Sequence, residues 1–278
     1  MIIDTHVHIA ITPVFYMTPE MVLESMDKYK IDYSLVSNGE AEEFDGDLNL
    51  IPKERQKDQV TLLKNTLEFA RKNAERIGVL AWVKPYGEVV TEELVNLISE
   101  NTDIILGLKV HPFCSKTAMD DPKMEPYIEL ARKFHFPIVV HTGGCEEAEP
   151  IHVWNVAKKY PDVNFVMVHM GLGSDNQEAI RLLATLPNLY GDTTWVPLES
   201  TIQAVKEVGS HKILFGSDNP IDGVDTYYRD PHGNSSLYQS YFHELENRIG
   251  TEAYEDIMFR NALKMFPGIP LHDAASEV

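Results

Sequence analysis

Histidine and aspartate residues recur in this sequence at the ends of short apolar segments, where they could bind a metal ion. His6 and His8 are two residues apart, and residues with that spacing in a β-strand point to the same face. Two imidazoles on one face can bind one divalent cation, and Zn²⁺ and similar ions prefer imidazole and carboxylate ligands. His141 and Asp218 follow later apolar segments. The four residues together predict a divalent-metal site.

Five of the eleven histidines lie at the carboxyl ends of predicted strands. They are His6, His8, His111, His141 and His169. Each has a simpler interpretation, since one such histidine is usually a hydrogen-bonded core residue, and Asp218 alone could be a turn residue. Burying several imidazoles and a carboxylate together without an ion is costly. The combination therefore favours metal binding.

Eight segments rich in β-branched and apolar residues predict the strands that position these side chains. Most are nearly continuous apolar runs, which is typical of parallel strands covered on both faces. The predicted strands are Met1–Ile9, Asp32–Ser37, Ile77–Val83, Ile105–His111, Pro137–Thr142, Asn164–Met170, Leu189–Thr194 and Lys212–Asp218.

Amphipathic stretches between the strands predict helices. Val60, Leu63 and Leu67 form an apolar stripe at helical spacing, and Thr18 followed by Pro19 predicts the start of another helix. Eight strands alternating with helices predict an α/β fold, a single (β/α)₈ TIM barrel domain over residues 1–278. The alternative is an open doubly wound sheet, which the lack of a G-x-G-x-x-G motif after the first strand disfavours.

The composition limits the function classes. The 278 residues carry a net charge of −19, which disfavours binding to nucleic acids and to anionic membranes. Two cysteines do not make a disulfide framework, and we find neither a signal peptide nor an apolar run long enough to span a membrane. We therefore expect a cytoplasmic enzyme with a small-molecule substrate, and a homo-oligomer remains an open alternative.

Two long segments follow predicted strands. Residues 39–55 follow the second strand and residues 219–235 follow the eighth. Barrel enzymes place their active sites at the carboxyl ends of the strands, so both segments are predicted to form lids or walls of a substrate site.

The ordered motifs resemble the amidohydrolase superfamily over essentially the whole chain. The resemblance rests on the His6–His8 motif and on the histidines or aspartate in Val139–Gly143, Met167–Gly171 and Leu214–Asp218. The branch that includes aminocarboxymuconate semialdehyde decarboxylase is the most similar, and the ending Asn261–Phe266 resembles its last helix.

The resemblance implies one ion of the Zn²⁺ type, with a second ion as an alternative. The implied ligands are His6, His8, His141 and Asp218. His169 would lie beside the metal-bound water, or would bind a second ion that a carboxylated Lys109 bridges. The simpler interpretation, which is favoured, is that Lys109 is a charged residue in the barrel interior. TatD-like nucleases are similar but carry glutamate at that strand, which counts against a nuclease.

The implied reaction is hydrolysis of an ester, lactone or amide in a small molecule. Asp218 is predicted to be the general base, and His169 is predicted to polarise the substrate carbonyl. Non-oxidative decarboxylation of an unsaturated or aromatic acid is the alternative, and a catalytically inactive metal-binding protein is a third interpretation.

Residues at or beyond the strand ends are candidates for binding the substrate. These are Lys109, His111, Asp192, Trp195, Asn219 and Arg229. Among them, Arg229 is the candidate for binding a substrate carboxylate. Each could equally be a solvated or packing residue.

Overall fold

Nine strands form one curled sheet in the computed structural model of the protein, which describes residues 1–221, 223–224 and 237–270. The order is β2-β1-β3-β4-β5-β6-β7-β8-β9, and all neighbouring strands are parallel except the β1–β2 pair. The strands are β1 (Ile3–Ile11), β2 (Tyr16–Met17), β3 (Tyr33–Asn38), β4 (Ile77–Trp82), β5 (Ile105–Val110), β6 (Ile138–Gly143), β7 (Phe165–Leu172), β8 (Leu189–Asp192) and β9 (Ile213–Leu214).

The sheet closes because the segment after β9 pairs with β1. Three backbone hydrogen bonds form this seam: Thr5 N to Phe215 O (2.9 Å), Asp218 N to His6 O (2.8 Å) and His8 N to Asn219 O (3.0 Å). A parallel bridge between Val7 and Asn219 lies in the same seam. The predicted TIM barrel is confirmed, and the open doubly wound alternative is wrong, because a closed sheet has no free edge at this position.

All eight predicted strands are present, with differences at their ends. The short strand β2, antiparallel to β1, was not predicted. The last strand is shorter than predicted, since β9 ends at Leu214 and Asp218 lies beyond it. The physical reason is the backbone of Phe215, whose N–H donates to Ile257 O at 2.9 Å instead of to β8.

Helices pack against the outer face of the sheet. Thr18 caps α1 as predicted, accepting a hydrogen bond from Met21 N, and Val60, Leu63 and Leu67 on α2 are buried. No described helix is long and apolar enough to cross a membrane. The helices are α1 (Pro19–Tyr29), α2 (Gln59–Lys72), α3 (Glu92–Ser99), α4 (Pro112–Ser115), α5 (Glu125–Phe134), α6 (Pro150–Lys159), α7 (Gln177–Leu183), α8 (Leu198–Val208), α9 (Leu237–His243), α10 (Leu245–Ile249), α11 (Thr251–Glu255) and α12 (Asn261–Met265).

The segment 39–55 after β3 is attached to its neighbours at its centre. The backbone N–H groups of Glu43 and Phe44 both donate to Cys114 O, at 3.0 and 2.8 Å. The Glu43 carboxylate in turn accepts a hydrogen bond from Gly87 N at 2.7 Å. These bonds make the segment a fixed wall. The other predicted segment, 219–235, lies largely outside the described residues.

Close packing of β6 against β7 requires glycine at position 143. Gly143 has a φ of 98°, and a Cβ there would collide with the Leu172 backbone. We expect Gly143→Ala to lower the free energy of unfolding by about 3 kcal/mol, because overpacking adds to backbone strain. Urea unfolding of the metal-free protein measures this change.

Gly250→Ala is the matched control. Gly250 also has a positive φ, 87°, but a Cβ there would have open space around it. We expect a loss of about 1 kcal/mol from strain alone. Equal losses in the two variants would show that the contact with Leu172 does not constrain position 143.

Candidate metal centre

Two histidines and one aspartate converge at the mouth of the barrel. His6 Nε2 lies 2.8 Å from His8 Nε2, and Asp218 Oδ1 lies 3.0 Å from His8 Nε2 and 3.6 Å from His6 Nε2. All three residues are buried, and one ligand atom from each lies within 4.8 Å of the others. β1 supplies the two histidines and the seam places Asp218 beside them, so the predicted convergence of these three is present.

The protonation of His6 follows from its hydrogen bonds. His6 Nδ1 lies 3.2 Å from Thr194 Oγ1, whose own proton goes to Asp192 Oδ2 at 2.6 Å. The Thr194 hydroxyl therefore accepts from His6, so Nδ1 carries the ring proton and Nε2 keeps its lone pair. That lone pair points toward His8 and Asp218, as a metal ligand requires.

The same segment fixes the orientation of His169. His169 Nδ1 lies 3.0 Å from Thr194 O, a carbonyl that can only accept, so Nδ1 is again protonated and Nε2 is an acceptor. The backbone N–H of His169 donates to Asp192 Oδ1 at 2.9 Å. On the opposite side, Ser37 Oγ lies 2.9 Å from His8 Nδ1. Each ring thus has its Nδ1 atom held by the protein.

Burial keeps these rings neutral. It lowers the pKa of His6 well below its ordinary value, with Lys109 adding to the effect, and it lowers the pKa of His8. Burial lowers the pKa of His169 to about 4. The Trp195 indole N–H donates to Asp218 Oδ2, and this hydrogen bond favours the ionised carboxylate. Neutral imidazoles and an ionised carboxylate are the forms that bind metal.

Three residues of the site have strained backbones. The φ angles are 66° for His169, 55° for Trp195 and 69° for Asp218, in a region that costs a residue with a side chain about 1–3 kcal/mol. Trp195 Nε1 donates to Asp218 Oδ2 at 2.9 Å. This bond leaves Asp218 Oδ1 directed at the histidines, so Trp195 orients the carboxylate.

His141 lies next to the three converging residues but is not one of them. Its ring stacks on His111 with a centroid distance of 3.8 Å, and its Nε2 lies 3.3 Å from Gly143 O. The ring centroid of His169 is 4.7 Å away. Metal ligation by His141 therefore stays a prediction.

Lys109 reaches into the same centre from β5. It is fully buried, and its Nζ lies 2.7 Å from His6 Nε2. Burial lowers the pKa of Lys109 to about 8. The residue is thus near enough to interact with an ion held by His6, and its carboxylation stays a prediction.

A cavity of about 910 Å³ opens above the centre. His8, His169 and Asp218 contribute to its lining, together with Trp82 from β4 and Phe113 from α4. A cavity of this size is large enough for a small organic molecule. The arrangement therefore places three polar groups of the centre in contact with any bound molecule.

The predicted substrate-binding residues differ in their position relative to the cavity. His111 lines the cavity, whereas Lys109, Trp195 and Asn219 are not part of its described lining. Asn219 Nδ2 donates to Ser25 Oγ on α1. Arg229 lies outside the described residues, so its predicted contact with a substrate carboxylate stays a prediction.

Comparison with protein families decides the identity. Residues 3–268 match the family model described as amidohydrolase. The chain belongs to the amidohydrolase family. The match includes both the His6–His8 motif and Asp218, which confirms the resemblance that the sequence motifs indicated. No curated protein matched the sequence in a direct search.

Solved structures share the barrel of this amidohydrolase. A probable 2-pyrone-4,6-dicarboxylic acid hydrolase from Acinetobacter baumannii, with citric acid bound, has 15% identity and a TM-score of 0.65, over 96% of this chain and 99% of that one. A 2,6-dihydroxybenzoate decarboxylase from Rhizobium has 15% identity and a TM-score of 0.66, over 96% and 98%. These identities are low, so the similarity establishes the fold alone.

A third similar structure contains a metal ion. The 5-carboxyvanillate decarboxylase from Novosphingobium aromaticivorans, complexed with manganese and a nitrobenzoic acid, has 13% identity and a TM-score of 0.69, over 96% of each chain. The amidohydrolase described here thus resembles both hydrolases and decarboxylases in fold.

The donor set of this amidohydrolase fits a divalent cation. His6 offers an unprotonated Nε2 atom, His8 offers a second imidazole nitrogen and Asp218 offers a carboxylate oxygen. Imidazole and carboxylate suit Zn²⁺ and the neighbouring divalent metals. The residues present are therefore a possible His-His-Asp metal site.

Sequence reasoning missed the residues that orient the ligands. Ser37 and Thr194 ended predicted strands, and a polar residue at a strand end was the available signal. Asp192 was identified only as a possible wall residue, whereas it binds Thr194 and the backbone of His169. Hydrogen bonds between distant segments leave no spacing pattern in the sequence.

We expect Ser37→Ala to weaken metal binding about tenfold, because His8 loses the group that orients its Nδ1 atom. Competition with a chromophoric chelator measures the affinity. Ser34→Ala on the same strand is the matched control, since the Ser34 hydroxyl is buried and has no hydrogen-bond partner among the described residues. A similar loss in both variants would contradict an orienting role for Ser37.

Proposed function

We propose that this amidohydrolase is a metal-dependent hydrolase that cleaves an ester, lactone or amide bond in a small molecule. The observation that carries the proposal is the convergence of His6, His8 and Asp218 beside a cavity of about 910 Å³, which His8 and Asp218 line. The cavity is large enough for a small molecule, and the three groups supply nitrogen and oxygen ligands beside it.

The proposed ligands are His6, His8, His141 and Asp218, and Zn²⁺ is the proposed ion. A divalent cation at such a centre lowers the pKa of water toward neutrality and polarises a carbonyl. Manganese is the alternative, since a decarboxylase of similar fold was crystallised with it. Lys109 and His169 are the residues that could hold a second ion.

Asp218 is the proposed general base. Its carboxylate is held by His8 on one oxygen and by Trp195 on the other, so it is fixed at the cavity floor. It would accept the proton of the attacking water and transfer that proton to the leaving group.

The tautomer of His169 changes its proposed role. Because Nδ1 donates to Thr194 O, the Nε2 atom of the neutral ring is an acceptor and cannot donate to a developing oxyanion. We therefore propose that His169 orients the attacking water by accepting a hydrogen bond. Lys109, a buried cation beside His6, is the better candidate for stabilising negative charge.

Decarboxylation is the second candidate, because the Lys109 ammonium beside His6 could also hold a carboxylate. Two decarboxylases share the fold of this chain. The two reactions are distinguished by measuring acid release and carbon dioxide release over a panel of lactones, esters and aryl or vinyl carboxylates. Acid release from the lactones and esters supports the hydrolase, whereas carbon dioxide from the carboxylates supports the decarboxylase.

We expect Asp218→Asn to lower kcat at least about a hundredfold, because the amide cannot accept the proton. Turnover of the best substrate in the panel measures the change, and circular dichroism checks that the barrel is folded. Asp162→Asn is the control, since Asp162 forms a surface ion pair with Arg132. Near-normal turnover by Asp218→Asn would refute the assignment of the base.

We expect prolonged chelation to abolish activity, and one equivalent of Zn²⁺ to restore it, because the ligands alone do not activate water. Metal content by mass spectrometry, measured together with the rate, gives the number of ions required. Full activity in protein shown to be free of metal would contradict the proposed mechanism, and a requirement for two equivalents would indicate the two-ion arrangement with Lys109.

A further inference from the structure

Glu42 is a carboxylate on the cavity wall that has no cationic partner among the described residues. It directly follows the short 3₁₀ turn Gly39–Ala41 after β3, is partly buried and lines the cavity above the metal centre. Its one side-chain hydrogen bond among the described residues comes from Cys114 Sγ, at 3.5 Å. No described lysine or arginine lies within ion-pair distance of it.

The thiol that meets Glu42 is held in place by His111. The backbone N–H of Cys114 donates to His111 Nδ1 at 3.3 Å, so the neutral ring carries its proton on Nε2, which lies 3.9 Å from Cys114 Sγ. The thiol proton is thereby directed toward Glu42. A thiol is a weak donor, so it satisfies only a small part of the carboxylate.

Two other acidic groups of the cavity wall, Glu40 and Asp45, have stronger partners. Glu40 forms an ion pair with Lys57 and also accepts a hydrogen bond from Ile11 N at 3.2 Å. Asp45 accepts hydrogen bonds from the backbone of its own turn, including one from Asn49 N at 2.9 Å. Glu42 is therefore distinguished from these neighbours by its lack of strong donors.

Burial disfavours the ionised form of Glu42 while the Cys114 thiol is its one described donor. Burial raises the pKa of Glu42 to about 7, and the charge of Asp45 adds to the effect. At pH 8 most of the group is ionised, and a donor from a bound molecule would stabilise that charge. Since a hydrogen bond to a charged group is stronger than one between neutral groups, the gain favours a ligand with a donor at this point.

We propose that Glu42 determines substrate specificity by accepting a hydrogen bond from a hydroxyl or ammonium group of the substrate. This inference rests on the proposed function in assigning the cavity to the substrate, and its test uses the metal site proposed there. The described charged residues of the cavity lining support it. Apart from the paired Glu40 and Lys57, the acidic ones are Glu42, Asp45, Asp47 and Asp218 and the basic one is Arg55, so acidic groups are in excess. A substrate with a carboxylate beside Glu42 would be repelled.

The test uses ligands that are anchored at the metal and differ in a single substituent. Benzohydroxamates bind zinc through the hydroxamate group. The series carries hydrogen, hydroxymethyl, aminomethyl or carboxyl at the 3- or the 4-position of the ring. Dissociation constants are measured by calorimetry on the zinc-loaded full chain at pH 8, where Glu42 is mostly ionised.

The wild type is expected to bind an aminomethyl ligand about tenfold more tightly than the unsubstituted one, and to bind the carboxyl ligands more weakly. Glu42→Gln should abolish the preference for the aminomethyl ligand and leave the affinity for the unsubstituted ligand within about twofold. Glu54→Gln is the matched control, because it removes the same charge from an exposed residue outside the cavity lining, and it should retain the preference.

Equal affinities across the series in the wild type, no binding of the aminomethyl ligands by a protein that binds the unsubstituted ligand, or an unchanged preference in Glu42→Gln would each overturn the assignment. Failure of the proposed reaction is distinguishable from these results. A protein that discriminates among the hydroxamates but releases neither acid nor carbon dioxide from its panel would retain the role of Glu42 and lose the proposed chemistry.

Discussion

The seam between β1 and residues 215–219 is the constraint on which the candidate site depends. The backbone hydrogen bond from Asp218 N to His6 O sets the separation of these two residues. The hydrogen bond from His8 N to Asn219 O fixes the register of residues 215–219 against β1. Two parts of the chain more than 200 residues apart thereby meet at one point. The candidate metal centre is consequently a property of the closed barrel, because neither part contains all three converging residues.

A short polar segment at the end of β8 sets the tautomers of two histidines in the centre. Asp192 and Thr194 hold both His6 and His169 with Nδ1 protonated, which directs two Nε2 lone pairs inward. Burial then keeps the rings neutral, so the segment and the low-polarity surroundings act together. Orientation by such outer groups is typical of metal-binding histidines, and here one segment orients two of them.

The barrel and the three converging ligands could be predicted from the sequence, because strand periodicity and the His6–His8 spacing are local patterns. Other features are set by tertiary contacts that have no spacing rule. The hydrogen bond of Trp195 to Asp218, the stacking of His141 on His111 and the weak partner of Glu42 all join separate segments. The left-handed conformation of Asp218 is likewise imposed by the folded barrel.

The left-handed backbone of Trp195 sets a limit on how this enzyme could adapt to heat. Glycine at this position would relieve the unfavourable φ of 55° but would remove the indole that orients Asp218. Selection for higher melting temperature and selection for turnover would thus act in opposite directions on one codon. Relatives from hot environments would have to gain their stability elsewhere in the barrel if they retain this tryptophan.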